Sequence, residues 1–176
     1  MKRSTVNVIR VFPAPVDRTR GRVRAGNLDL PCRLGRAGPV ARKREGDGGT
    51  PIGRMRILGI AYRADRIGRP RTGVAIRRIG PDDGWCDDPR SRLYNRPVRL
   101  PFGPSHERMW RTDPLYDLVV DLDWNRRPAI RGRGSAIFLH VRRPDGATEG
   151  CVAVDRGAVA RLVARMGRTT LVVVRP

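Results

Sequence analysis

The chain holds only two histidines and three cysteines in 176 residues, and one of each lies in the segment from Ser135 to Asp155. His140 closes the apolar run Ala136-Ile137-Phe138-Leu139, which reads as a short buried strand. Eleven residues later, Cys151 follows Thr148-Glu149-Gly150 and opens a second apolar run, Val152-Ala153-Val154. Pro144, Asp145 and Gly146 supply a turn between the two runs. Two strands joined by such a loop can set an imidazole against a thiol, the minimal apparatus for a thiolate nucleophile. Gly150 removes a side chain just before the sulfur, so a substrate carbonyl could approach the backbone N–H groups of an oxyanion hole. The competing reading is structural, because a Cys often packs as a small core hydrophobe and a His at a strand end is often a satisfied polar group.

A free thiol is mostly protonated at neutral pH, so His140 would either take the Cys151 proton or hold it in an ion pair. Arg142 and Arg143, if they face the site, favour the thiolate. Glu149 beside the sulfur would oppose it by like-charge repulsion, so its carboxylate is expected to point away or to pair with an Arg. No Asp or Asn stands at a spacing suited to orient His140, which leaves a nearby backbone carbonyl for that task.

At these residues the sequence resembles the L,D-transpeptidase catalytic domain family (YkuD-type), whose signature is a His, a variable loop and Ser/Thr-His-Gly-Cys. The matching positions are His140, Thr148, Glu149, Gly150 and Cys151. Glu149 stands where many members have a second His, and Ala153 where many have an Arg; Phe138-x-His140 with Glu149-Gly150-Cys151 is similar to a subgroup. The resemblance implies a β-rich catalytic fold with a cleft above a sheet. It also implies peptidoglycan stem peptides as substrates, attacked by Cys151 to give a thioester whose acyl group passes to an amine. His140 is then the base, and Thr148, Glu149, Gly150 and Arg142 are the expected oxyanion and substrate-binding residues. No cofactor or metal is expected.

Those residues need strands to hold them. Val6 to Phe12, Arg22 to Arg24, Leu28 to Leu34, Arg54 to Ile60, Tyr116 to Trp124 with Leu118-Val119-Val120, and Thr169 to Val174 have strand character. Cys32, in the alternating stretch Leu28 to Leu34, is expected in the core. Asp155 is placed to cap a helix with Val159, Leu162, Val163 and Met166 on one face, ended by Gly167. The Gly-rich stretch Lys43 to Gly53 lacks the Gly-Lys-Ser/Thr ending of a phosphate loop and reads as a hairpin turn feeding a strand. It resembles the Gly-rich Thr-Pro-x-Gly segment of the same family. From Ala61 to Pro114 periodicity fades, yet Trp and Tyr residues argue for an ordered lid or cleft wall. His106, in this stretch, is expected to play a surface polar role. The expectation is a mainly β protein with one clear C-terminal helix and a long ordered loop region, a single catalytic domain over 1–176.

The net charge is +20, and Lys occurs only as Lys2 and Lys43, so almost all the positive charge is Arg. The arginines are scattered in sequence and aromatics are only 5%, thin for base stacking, so no specific nucleic acid partner is expected. Attraction to anionic wall polymers and carboxylate-rich peptides fits the balance equally. Three widely spaced cysteines argue against a disulfide framework, since one thiol would be left over, and no C-x-x-C or H-x-x-x-H pair points to zinc. No run is long enough for a transmembrane helix. The family's substrates lie in the periplasm or cell envelope, whereas the start Met1 to Phe12 shows no apolar signal region, which leaves a cytoplasmic location open. Three readings stand: a transpeptidase, an L,D-carboxypeptidase or peptidase using the same Cys and His, and a basic binding module in which both are structural.

Overall fold

The computed structural model describes residues 5–176, so the basic start Met1 to Arg3 lies outside the described residues. The first elements follow from a period of two. Val6–Pro13 (β1), Arg20–Ala25 (β2) and Leu28–Arg33 (β3) bury alternate residues such as Ile9, Val11, Val23 and Leu30 and turn Arg10, Arg20, Arg22 and Arg24 outward. They form an antiparallel meander with Arg24 opposite both Arg10 and Asp29. The Gly-rich stretch that reads as a hairpin instead links two short parallel strands, Pro39–Val40 (β4) and Thr50–Pro51 (β5). It then feeds the ten-residue strand Gly53–Tyr62 (β6).

The region of weak periodicity is also strand-built. Ile76–Arg78 (β7) extends β6, and Asp83–Cys86 (β8) is flanked by Arg96–Arg99 (β9) and His106–Arg108 (β10) in a separate antiparallel sheet. Leu118–Leu122 (β11), Phe138–Val141 (β12), Val152–Val154 (β13), helix Arg156–Val163 (α1) and Met166–Val174 (β14) complete the chain. The main sheet runs β11-β12-β13-β3-β2-β1-β14-β6, and β6 pairs back onto β11, so these eight strands close into a ring.

The ring gives each strand an inside and an outside. Val120, Leu139, Val152, Val154, Val172 and Met55 point inward to one core, which the buried face of α1 joins through Val159, Leu162 and Val163. Cys32 lies in that interior, where burial pushes its thiol up to about 12. Outward from the same strands, Val119, Phe138 and Cys151 meet Trp85 and Met109 of the small sheet and its flanks in a second core. Trp85 meets Phe138 edge-on at 4.9 Å, a geometry worth about 0.5–1.5 kcal/mol beyond burial.

Two expectations at the C-terminus are corrected. The helix ends at Val163, three residues before Met166, which starts β14, and Gly167 lies inside that strand. Met166 is fully buried either way, and its buried position satisfies helical and strand patterns alike. Asp155 precedes α1 but makes no side-chain cap bond, because its carboxylate takes Arg142 instead.

Candidate active site

Parallel pairing of β12 with β13 sets His140 opposite Ala153 and Leu139 opposite Val152. Continuing that register places Cys151 diagonal to His140 on the outward face. Diagonal neighbours on one face lie about 7–8 Å apart, within reach of long side chains. The expected run from Ala136 to Leu139 is shifted in the structure, since β12 starts at Phe138 and continues through His140 to Val141. The connecting loop is pinned from below. Thr148 N–H donates to Leu34 O, and Arg36 N–H donates to Thr148 O, both at 2.9 Å.

The sulfur is held by backbone. Cys151 Sγ donates to Ala136 O at 3.2 Å and accepts Phe138 N–H at 3.3 Å. Ala136 has φ 51°, a left-handed conformation that costs a non-glycine residue about 1 kcal/mol or more. Asn95 maintains it. Its Oδ1 accepts Ala136 N–H at 3.1 Å and Trp85 Nε1–H at 3.1 Å, while its Nδ2 donates to the Trp124 and Asn125 carbonyls. Behind the sulfur, Thr148 Oγ1 donates to Cys151 O at 2.7 Å and accepts Gly150 N–H at 3.1 Å. Gly150 N–H is therefore occupied, whereas the Cys151 N–H finds no acceptor among the described residues. Gly150 has φ 137°, and a Cβ there would sit 2.8 Å from Gly49 O, so only glycine fits.

His140 is buried, with Nδ1 2.8 Å from Val141 O. A carbonyl can only accept, so Nδ1 carries the proton and Nε2 keeps its lone pair. Burial lowers the imidazole to about 4 and raises the Cys151 thiol to about 12. At neutral pH the resting pair is therefore uncharged, imidazole and thiol, and not an ion pair. Such a pair works by general-base catalysis, with the proton leaving sulfur as the sulfur attacks.

The expectation that the Glu149 carboxylate points away or pairs with an Arg matches its placement. Glu149 points into solvent and pairs with Arg36 Nε at 2.9 Å. Sequence adjacency to Cys151 does not carry through the turn at Gly150. Arg142 reaches the edge of the cavity but is bound by Asp155 at 2.7 Å and Pro144 O at 3.0 Å. The carboxylate that does raise the Cys151 thiol, after burial itself, is Glu107 on β10. Burial raises the Glu107 carboxyl in turn, and it accepts a hydrogen bond from Tyr116 OH. The Tyr116 ring meets His140 edge-on at 5.4 Å. Glu107→Gln should lower the Cys151 thiol and speed its alkylation several-fold at alkaline pH, while Glu149→Gln should leave the profile unchanged. Alkylation rate against pH measures both, and the opposite ranking would reassign the controlling carboxylate.

Lys43 is the other residue that sequence reading passed over. Its stem packs against Gly134 and Gly150, and its buried ammonium donates to Asp47 and Arg44 O behind the Cys151 loop. It acts on the sulfur in the opposite sense to Glu107, lowering the thiol. In a chain whose only other Lys is Lys2, this single Lys among arginines was the signal available, since an ammonium is a more compact cation than a planar guanidinium. His106 stays outside the site, with Nδ1 2.8 Å from Pro104 O. Among the described residues no group of three or more His, Cys, Asp or Glu could hold a metal ion.

Cys151 and His140 line a cavity of about 200 Å³ between the ring and the small sheet, with Glu107, Tyr116 and Thr148. Arg33, Arg111 and Arg143 give it a basic wall. A buried thiol, a tautomerically fixed imidazole and a free backbone N–H lie together beside a cationic cavity on a closed β ring. Residues 16–174 match the L,D-transpeptidase catalytic domain (YkuD), and the chain belongs to that family. Neither a curated protein nor a solved structure matches it. Among the described residues no helix is long and apolar enough to cross a membrane.

Proposed function

We propose that the protein is a peptidoglycan L,D-transpeptidase acting at the cell envelope. Cys151 Sγ attacks a stem-peptide carbonyl while His140 Nε2 takes its proton, and the Cys151 N–H donates to the developing oxyanion. The C–N bond then breaks, His140 returns the proton to the leaving amine, and an acyl thioester remains. An acceptor amine attacks the thioester, His140 takes the amine proton, and the thiol is restored as the new amide leaves. The observation that carries the reading is the register of β12 on β13, which sets Cys151 diagonal to a His140 whose base nitrogen is free.

The test is product mass. Stem tetrapeptide supplied with an amine acceptor should yield the cross-linked amide with the wild type and nothing with Cys151→Ala. A product carrying water instead of the amine would assign the site to L,D-carboxypeptidase chemistry. Undiminished turnover by Cys151→Ala would remove the enzyme reading.

A further inference from the structure

The scattered arginines converge in three dimensions. Ring pairing sets Arg20 opposite Arg33, Arg33 opposite Ala153, and Ala153 opposite His140, one continuous row across four strands. At about 4.8 Å between strands, Arg33 stands roughly 10 Å from His140 and Arg20 one strand further. Along β2 the same face carries Arg22 and Arg24, and Arg10 of β1 lies opposite Arg24. Arg33 lines the catalytic cavity, while Arg10, Arg20, Arg22 and Arg24 are exposed.

Two carboxylates share this face. Asp17 pairs with Arg20, and Asp29 is divided between Arg22 and Arg24. Arg10 and Arg33 have no salt-bridge partner among the described residues. Five guanidinium groups against two carboxylates leave a surplus, and exposed pairs of this kind are weak enough to yield to a competing anion. Among the described residues the only aromatic on the face is Phe12, already covered by Arg24 at 5.2 Å, which leaves no platform for bases.

We infer that the outer face of β3, β2 and β1 is a docking track that holds a carboxylate-bearing, peptide-substituted glycan and leads it to Cys151. Its identity as peptidoglycan rests on the acyl-transfer reading; the track itself rests on the register and the charge. Neighbouring guanidinium groups spaced about 5–7 Å apart suit successive carboxylates of an extended polymer better than one small anion.

Arg10, Arg20, Arg22 and Arg24 changed together to Gln tests this. A control with Arg69, Arg71, Arg92 and Arg161 changed to Gln removes the same charge from exposed positions elsewhere. Sedimentation with purified insoluble peptidoglycan should show an apparent Kd about tenfold or more weaker for the track variant, with the control close to wild type and both melting normally. The track variant should also show a raised KM and an unchanged kcat on polymeric substrate. Wild-type binding by the track variant, or equal weakening in the control, would overturn the inference. So would loss of duplex DNA binding by the track variant with peptidoglycan binding intact, which would give the face to nucleic acid. Sedimentation needs no turnover, so a wild type that sediments normally but transfers no acyl group would count against the acyl-transfer reading alone.

Discussion

His140→Gln is expected to fold, to melt near the wild-type temperature at neutral pH, and to transfer acyl groups on the order of 10²–10⁴-fold more slowly. Glutamine keeps a polar side chain that can still donate to Val141 O, but it offers no basic nitrogen to Cys151. The pH profile distinguishes loss of the base from simple damage. In the wild type His140 is neutral from neutral pH down to about 4, so the base is present across that range. The acid limb of the rate should accordingly fall near pH 4, well below the ordinary imidazole value. In the variant only the thiolate present at equilibrium can attack. With the thiol raised to about 12, that fraction grows tenfold for each pH unit through the neutral range. A variant rate that climbs steeply with pH, against a flat wild-type plateau, is the expected signature. A variant with an intact plateau would show that another group takes the proton, and an unfolded variant would favour a structural role for the histidine.

The acid limb also bears on stability. His140 is depressed in the folded state, so the unfolded chain binds the extra proton between about pH 6.5 and 4. Stability from the neutral imidazole is complete above the unfolded value and is lost as pH falls through that window. The His140→Gln protein should lack this part of the acid destabilisation, which thermal melts at pH 5 and 7 measure.

Much of this was legible in the sequence because it depends on local pattern. Alternating Val, Ile and Arg marked β1, β2 and β3, and the apolar runs on either side of the turn at Pro144 to Gly146 marked β12 and β13. His140 and Cys151 stand out as the proposed chemical pair because histidine and cysteine are scarce. What stayed hidden arises from pairing between distant segments. Glu107 reaches the cavity only because β10 pairs with β8, and Asn95 clamps Ala136 only through the ring's outer core. Neither position has periodicity around it. Asp155 misled for the converse reason, since it had a plausible local role as a helix cap and was taken by Arg142. The arginine track is a third case, in which a period of two within each strand becomes a row only when the ring register is known.

On the proposed chemistry Cys151 itself becomes acylated. A carbapenem presents a strained carbonyl to the sulfur, and ring opening adds the whole molecule to the thiol. All three cysteines are free and buried, so the site of attachment is informative as well as the mass. After incubation at neutral pH and proteolysis, mass spectrometry should place one carbapenem on the peptide containing Cys151 and none on those containing Cys32 or Cys86. The Cys151→Ala protein should carry no adduct. An unmodified wild-type protein, or an adduct on Cys86 that survives in Cys151→Ala, would contradict the account.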